Sequence, residues 1–165
     1  MTQAVSRRTL MMTAGAVAVS ACSPGSADAS ERQYANSPFR RVTDAQWRER
    51  LPGQAYNVLR REATERPYTS PLNDEKRSGT FVCRGCDLPL FRSTWKYDSR
   101  TGWPSFYDVI AANIGTKIDY GIGIPRTEYH CARCLGHQGH IFDDGPRPTG
   151  KRYCNNGVAL TFRPA

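Results

Sequence analysis

The chain has 165 residues, a length that suits one folded domain, and a formal net charge of +8 at pH 7. Glycine (14 residues) and proline (11 residues) are frequent, which favours a fold with many turns over a helical bundle. The basic residues are scattered and form no run, so we interpret the charge as a solvated basic surface and expect no nucleic-acid partner.

Residues 1–22 have the pattern of a bacterial signal peptide. Arg7 and Arg8 precede an apolar run too short to span a bilayer, and small residues follow it up to Cys22. The arginine pair predicts export by the twin-arginine route to the periplasm or cell envelope. Val-Ser-Ala-Cys resembles a lipobox, in which an acylated Cys22 anchors the chain to a membrane; an ordinary signal peptide with an incidental cysteine is the alternative. Residues 23–40 are expected to form a flexible tether.

Residues 41–165 are predicted to form one small, mainly β domain with short helices at its N-terminal end. Thr43 and Gln46 fit a capping box at the start of a first helix, which Pro52-Gly53 ends. A second amphipathic helix is expected over 54–63. Short runs with strand character follow, separated by turn residues. These runs are 80–83, 118–124, 128–131, 140–142 and 158–162.

Two Cys-x-x-Cys pairs lie far apart in the domain, Cys83/Cys86 and Cys131/Cys134. Paired knuckles of this kind are typical of a structural site in which four thiolates surround one Zn²⁺ ion. Disulfides are the alternative in an exported chain, but two pairs at this spacing more often bind a metal. We therefore predict one structural zinc ion per chain, and Cys154 is left over.

The domain also contains a series of longer motifs in unbroken order. They are Thr64-Glu65-Arg66-Pro67, Gly102-Trp103-Pro104-Ser105-Phe106, Gly136-His137-x-Gly139-His140 and Arg152-Tyr153-Cys154-x-Asn156. With the two cysteine pairs, they make about three quarters of the chain resemble the B-type methionine sulfoxide reductases, which reduce the R epimer of methionine sulfoxide. The resemblance implies a zinc-stabilised domain of two antiparallel sheets, and we expect a monomer.

The resemblance assigns Cys154 as the nucleophile. A sulfoxide sulfur becomes electrophilic when its oxygen is protonated or strongly hydrogen-bonded, and a thiolate is the soft nucleophile that attacks it. Attack releases methionine and leaves a sulfenic acid on Cys154. His140 and Asn156 resemble the family's groups that orient and polarise the sulfoxide oxygen, with the imidazole as general acid and His137 as the second candidate acid.

Three further side chains are candidate site residues. Trp103 resembles the family's aromatic wall against the ε-methyl group of the substrate, and Phe106, in the same motif, is a second candidate for substrate binding. Arg152 precedes Cys154 by two residues, so we expect it on the same strand face, where its charge favours the thiolate.

Each assignment has a structural alternative. A free cysteine such as Cys154 is most often a buried structural thiol. His137 and His140 could be zinc ligands, although four thiolates already complete a tetrahedron. Trp103 and Phe106 could be ordinary core residues.

The chain departs from the family pattern at Thr101. Many family members have a second, resolving cysteine at this position, and threonine cannot form a disulfide with Cys154. The resemblance therefore predicts a one-cysteine enzyme whose sulfenic acid is reduced by an external thiol, either a thioredoxin-like protein or a small thiol. Asn155 and Gly157 also differ from the commonest residues beside the nucleophile.

Two other functions stay open at this point. A basic zinc-ribbon module that binds nucleic acid or protein explains the charge and the four paired cysteines, but it leaves Cys154, Trp103 and the two histidines unexplained. The second open function is that of a related zinc-containing β enzyme that acts on another small electrophile. For a reductase, a surface-anchored repair role favours oxidised methionine in proteins over the free amino acid as substrate.

Overall fold

The computed structural model describes residues 26–165. The expected signal peptide, with Cys22, and the first residues of the expected tether lie outside the described residues. Among residues 26–165, none of the helices combines the length and the apolar character that a membrane span requires.

The segment that precedes the domain packs against it, unlike the flexible tether expected over residues 23–40. Helix α1 (Ser26–Arg32) begins this segment. The Tyr34 hydroxyl donates to Asn113 Oδ1 at 2.8 Å, and the Arg40 guanidinium donates to a main-chain carbonyl of the domain at 2.7 Å. Long polar side chains with specific partners hold the segment in place, a feature that its small-residue composition does not reveal.

Two short helices follow, α2 (Asp44–Arg50) and α3 (Gly53–Arg61). The predicted capping box is confirmed, because Thr43 accepts from the backbone of Gln46 and the Gln46 side chain accepts from the backbone of Thr43. Helix α3 ends two residues before the predicted boundary, since Glu62 adopts the left-handed conformation (φ 56°) that terminates helices.

Within residues 26–165, nine strands form two antiparallel sheets, which confirms the predicted fold class. One sheet has the order β2-β1-β9 and the other the order β3-β4-β8-β7-β6-β5. The strands are β1 (Gly79–Cys83), β2 (Pro89–Arg92), β3 (Lys96–Tyr97), β4 (Ser105–Phe106), β5 (Ile114–Asp119), β6 (Arg126–Cys131), β7 (His137–Phe142), β8 (Arg152–Asn155) and β9 (Leu160–Pro164). Short 3-10 turns at Pro38–Arg41, Pro71–Asn73, Ser93–Trp95, Ala111–Asn113 and Gly157–Ala159 connect these elements.

Two predicted strands include residues that are not strand in the structure. The run 118–124 is strand only as far as Asp119, because a turn follows in which Gly123 N–H donates to the Tyr120 carbonyl at 3.0 Å and Gly123 has a φ of 78°. The run 158–162 begins instead as a 3-10 turn and becomes strand at Leu160. In both places, local turn geometry interrupts an apolar pattern that favours a strand.

Aromatic side chains from both sheets form the centre of the core. Phe81 and Phe91 come from the smaller sheet, and Phe106 and Tyr129 come from the larger one. The rings of Phe91 and Phe106 stack with centroids 4.1 Å apart, and Phe81 meets Phe106 edge-on at 5.0 Å. This packing fixes one face of β4 and β8 against the core and leaves their other face for the site.

Candidate active site and structural zinc site

The four paired cysteines converge into one buried cluster. Their Sγ atoms all lie within 4.8 Å of one another, and the pairs Cys83–Cys134 and Cys86–Cys131 are 3.6 and 3.4 Å apart. A tetrahedral ion with Zn–S bonds of about 2.3 Å would place its sulfur ligands about 3.8 Å apart. The donor set and the spacing therefore fit the predicted structural zinc ion.

The two knuckles have the same backbone turn. Asp87 N–H donates to the Cys83 carbonyl and Leu135 N–H donates to the Cys131 carbonyl, each at 2.8 Å, and both donor residues have a positive φ near 60°. Cys83 ends a strand of the smaller sheet and Cys131 ends a strand of the larger one. A bound zinc ion thus joins the two sheets.

Cys154 lies apart from this cluster, on β8. It is opposite His140 of β7 and opposite Ser105 of β4 in the strand register. It faces a solvent-open pocket that contains three more of the predicted site residues. The lining residues are Thr64, Trp103, Arg126, Gly139, His140, Phe142, Cys154, Asn155 and Asn156. The sheet therefore brings together a thiol, an imidazole and an indole that are distant in sequence.

Comparison with known proteins agrees with this arrangement. Residues 51–164 match the family model described as the SelR domain. The chain is 53% identical over 121 residues to the peptide methionine sulfoxide reductase MsrB of Pseudomonas putida strain W619, covering 72% of this chain and 90% of that protein. It is 49% identical over 123 residues to the chloroplastic peptide methionine sulfoxide reductase B1 of rice (74% of this chain, 58% of that protein), and 42% identical over 154 residues to the Arabidopsis thaliana protein of the same name (93% and 75%).

The chain belongs to the SelR domain family, the B-type methionine sulfoxide reductases. The family accounts for the enzyme class, peptide-methionine (R)-S-oxide reductase, and for a structural zinc ion held by Cys83, Cys86, Cys131 and Cys134.

In this protein two opposing influences act on the pKa of Cys154. Burial raises the pKa of the Cys154 thiol, and the Arg152 guanidinium acts in the opposite direction. Arg152 is itself held in place, because its Nε and Nη2 donate to the two carboxylate oxygens of Asp144 at 2.7 and 2.8 Å. The same guanidinium lies 4.3 Å from the ring centroid of Phe142. Arg152 thus lies beside the pocket and lowers the pKa of Cys154, in opposition to burial.

His140 is attached to a carboxylate that sequence reasoning missed. Its Nε2 hydrogen-bonds with Asp119 Oδ2 at 2.8 Å, and Arg126 Nη2 donates to the same oxygen at 2.5 Å. Burial lowers the pKa of His140, whereas the bond to Asp119 raises it. Three hydrogen bonds lower the pKa of Asp119. The bond from the Gly121 backbone N–H has the largest effect, and those from His140 and Arg126 come next. Asp119 and Arg126 carried no sequence signal, because Asp119 fell within an expected strand and Arg126 resembled an ordinary surface charge.

His137, the second candidate acid, does not line the pocket. It is buried, its Nδ1 hydrogen-bonds with Glu128 Oε1 at 2.8 Å, and its ring centroid lies 5.5 Å from that of His140. Burial lowers the pKa of His137 to about 4. The enclosed imidazole packs beside His140 outside the pocket lining, and neither histidine belongs to the cysteine cluster.

Asn156 lines the pocket, but its amide is engaged with backbone groups. Its Oδ1 accepts from Glu65 N–H and its Nδ2 donates to the Gln138 carbonyl, both at 3.0 Å. The Trp103 indole N–H donates to the Glu65 carbonyl, also at 3.0 Å. The observed contacts of Asn156 are therefore structural: together with Trp103 it holds the segment around Glu65 beside the pocket.

Glu65 is another residue that sequence reasoning did not assign a role. Its buried carboxylate accepts from the backbone N–H groups of Gly157 and Val158, directly after Asn156. Burial raises the pKa of Glu65, and these two N–H groups oppose the change. Its position in the Thr64-Glu65-Arg66-Pro67 motif was the available signal.

The prediction that Phe106 binds substrate is wrong. Phe106 is fully buried, stacks on Phe91, and does not line the pocket. In the register of β4 and β8, Phe106 is opposite Tyr153, while Ser105 is opposite Cys154. Because adjacent residues in a strand face opposite sides, Phe106 points into the core and Phe142, from β7, supplies the pocket's other aromatic ring.

Thr101 lies in the neighbourhood of Cys154. Its side chain lowers the pKa of the Cys154 thiol, and its hydroxyl lies 2.8 Å from that of Ser99. Among residues 26–165, the only cysteines besides Cys154 are the four of the zinc cluster. The described part of the chain thus contains no spare thiol beside Cys154.

Proposed function

We propose that this chain reduces methionine-R-sulfoxide, the reaction of its family, with Cys154 as the nucleophile. The observation that carries this proposal is the position of Cys154. It is separate from the zinc cluster and shares a solvent-open pocket with His140 and Trp103. The pocket thus supplies a nucleophile, a proton donor and an aromatic wall.

The reaction has a balanced set of changes at two sulfur atoms. The Cys154 thiolate attacks the sulfoxide sulfur while the sulfoxide oxygen takes up a proton, for which His140 is the donor. The attack forms a bond between the Cys154 sulfur and the substrate sulfur. The oxygen, now a hydroxyl group, then transfers to the Cys154 sulfur as this bond and the substrate's sulfur–oxygen bond both break, which leaves a sulfenic acid on Cys154. The substrate sulfur gains two electrons and leaves as the thioether of methionine, and the Cys154 sulfur loses two electrons.

We assign the second half of the cycle to an external thiol. One thiol attacks the sulfenic acid and releases water, and a second thiol attacks the resulting mixed disulfide to restore Cys154 and release an oxidised disulfide. Thr101 beside Cys154 and the commitment of the other described cysteines to the zinc cluster support this assignment. A thioredoxin-like protein or a small thiol fits this role.

Turnover of a racemic methionine sulfoxide peptide with dithiothreitol tests the reaction, with the two epimers followed by chiral chromatography. We expect the R epimer alone to disappear, and Cys154→Ser to abolish its loss. Arg133→Gln, a change in the second knuckle that retains every cysteine of the chain, is the matched control and should keep the activity.

Mass spectrometry after one turnover without reductant tests the one-cysteine cycle. A sulfenic acid on Cys154 is the expected product. A disulfide between Cys154 and another cysteine of the same chain would contradict the external-thiol assignment, and a Cys154→Ser protein with full activity would contradict the reaction itself.

Export to the cell envelope is a separate part of the proposal. It is supported by the arginine pair and the lipobox-like sequence ending at Cys22. Fractionation of cells that express the full chain, beside a Cys22→Ser variant, tests the anchor. An acylated protein should sediment with membranes and the variant should not.

A further inference from the structure

The exposed large hydrophobic side chains are concentrated in one part of the molecule. Residues 26–165 expose six such side chains, and four of them lie at positions 118, 120, 122 and 124. Ile118, Tyr120, Ile122 and Ile124 are between 54% and 69% exposed. Single exposed apolar residues are common on protein surfaces, but a contiguous group marks an interaction site.

Three of these residues belong to the loop that joins β5 to β6, residues 120–125, here called the β5–β6 loop. The loop contains no charged residue. Its shape is held by two backbone donors, since Gly121 N–H bonds Asp119 Oδ1 at 2.7 Å and Gly123 N–H bonds the Tyr120 carbonyl at 3.0 Å. Its exposed side chains are therefore presented by an organised turn.

This loop is continuous with the catalytic pocket at both ends. Asp119, directly before it, bonds His140, and Arg126, directly after it, lines the pocket. Asp119 and Arg126 also pair with each other, which ties the base of the loop to the pocket wall. On the Trp103 side of the pocket, Tyr68 is another exposed ring, bonded through its backbone N–H to the Gly102 carbonyl.

We propose that the β5–β6 loop binds apolar side chains that flank an oxidised methionine in a polypeptide substrate. This inference rests on the proposed function, because it takes the pocket to hold the methionine sulfoxide side chain. The residues on either side of that methionine must then lie outside the pocket. The loop with the exposed Tyr120, Ile122 and Ile124 is flanked by Asp119, which bonds the pocket residue His140, and by Arg126, which lines the pocket. An uncharged apolar surface favours uncharged apolar neighbours, since burial of both removes them from water.

The position of the β5–β6 loop indicates which kind of partner binds to it. A second copy of the chain or a membrane surface could also cover apolar residues, but neither explains why the exposed group adjoins the pocket through Asp119 and Arg126. A flanking peptide does, because it must extend outward from the reacting sulfur. The substrate class is therefore an extended segment with hydrophobic residues next to the methionine sulfoxide.

Three substrates with the same reacting group test the proposal. One peptide has leucine and valine on both sides of methionine-R-sulfoxide, one has glycine and serine there, and N-acetyl-methionine-R-sulfoxide methylamide has no flanking side chains. We expect kcat/KM of the wild-type protein to be about tenfold higher for the apolar peptide than for the polar one, mainly through KM, which corresponds to about 1.4 kcal/mol.

The double variant Ile122→Ser/Ile124→Ser should reduce this preference to less than about twofold while it still reduces the methylamide. Leu135→Asn is the matched control: Leu135 is exposed and apolar but lies in a zinc knuckle, and its φ of 60° is one that asparagine tolerates. This control should keep the full preference.

The inference would be overturned if the wild-type protein gave equal kcat/KM for the two peptides, or if the double variant kept the full preference. Turnover of the methylamide would still support the proposed function in that case. No turnover of any of the three substrates would instead refute the proposed function. Two other results would assign the loop to a different partner and overturn the inference. One is a concentration-dependent dimer in sedimentation, and the other is binding to phosphatidylglycerol vesicles. In either case the double variant would lose the association, and the wild type would show no peptide preference.

Discussion

The zinc cluster and the Cys154 pocket place the same side chain in two different environments. The four cluster cysteines are at most 4% exposed and are surrounded by one another's sulfur atoms. Cys154 is partly exposed, and its neighbours are an arginine of the same strand and a histidine and a threonine from other parts of the chain. Cluster thiolates are suited to holding a metal, whereas a partly accessible thiol beside a cation is suited to reaction.

The zinc cluster and the pocket also contribute differently to the stability of the fold. The cluster joins β1 to β6, and thus one sheet to the other. The pocket lies on one face of the larger sheet, and none of the cluster cysteines lines it. Damage to the cluster is therefore expected to remove structure and activity together, and damage to the pocket to remove activity alone.

Replacement of a cluster cysteine gives the largest expected effect. Cys131→Ser should abolish zinc binding and leave the chain largely unfolded, because structural zinc contributes on the order of 10–16 kcal/mol in isolated zinc-finger peptides. Metal analysis and circular dichroism measure both outcomes. Cys154→Ser is the matched comparison and should keep one zinc ion per chain and the wild-type melting temperature; a Cys131→Ser protein that melts like wild type would remove the structural role of the cluster.

The two phenylalanines on either face of the larger sheet give the next largest effect. Phe106→Ala should lower the free energy of unfolding by about 3–5 kcal/mol, because it leaves a cavity beside Phe91 in the core. Phe142→Ala should lower it much less and should reduce kcat/KM more, because that ring lines the pocket. Urea unfolding and steady-state kinetics of both variants separate the roles, and the reverse ranking would restore Phe106 as a substrate contact.

Removal of the charge next to His140 should change the pH profile. In the wild type, the acid form of His140 is lost as pH rises through its pKa, which burial lowers and Asp119 raises. Asp119→Asn keeps the shape of the side chain but removes its charge, so the pKa of His140 should fall further. The alkaline decline of kcat/KM should then move to lower pH. If the pKa of His140 falls by one unit, kcat/KM at a fixed pH above the decline should fall about tenfold.

Asp143→Asn is the control for that profile. Asp143 is an exposed carboxylate that pairs with Lys151, and its replacement should leave the pH dependence unchanged. A profile of Asp119→Asn that superimposes on the wild-type curve would show that Asp119 does not tune the proton donor.

The smallest expected effect concerns the N-terminal segment. Tyr34→Phe removes one hydrogen bond to Asn113 and should lower the free energy of unfolding by about 0.5–1.5 kcal/mol. Tyr120→Phe, on an exposed side chain, is the control and should change it by less than about 0.5 kcal/mol. Equal values for both variants would mean that the segment contributes no stability through Tyr34.

Features encoded by short, local spacing were predicted from the sequence. The capping box of α2 depends on residues three apart, and each zinc knuckle depends on cysteines three apart with a left-handed residue after the later one. The mainly β class followed from short runs separated by turn residues. The partition of cysteines into a buried quartet and Cys154 also followed, because two identical spacings left one thiol without a partner.

Features that depend on the register between strands were not predicted. Trp103 and Phe106 belong to one motif, yet only Trp103 lines the pocket, because Phe106 pairs with Tyr153 on the core face. Asp119 reaches His140 across 21 residues of sequence, and Glu65 reaches Gly157 across 92. A single sequence contains no measure of such distances, so neither carboxylate could be assigned.

The sequence by itself determined which residue types were present, how the knuckles and helix ends were built, and which family the motifs resemble. The tertiary structure decided which side chains share the pocket, that His137 is enclosed while His140 is not, and that the exposed apolar loop is joined to the pocket through Asp119 and Arg126. The physical reason is that spacing along the chain controls local backbone geometry, whereas burial and proximity come from the pairing of distant strands.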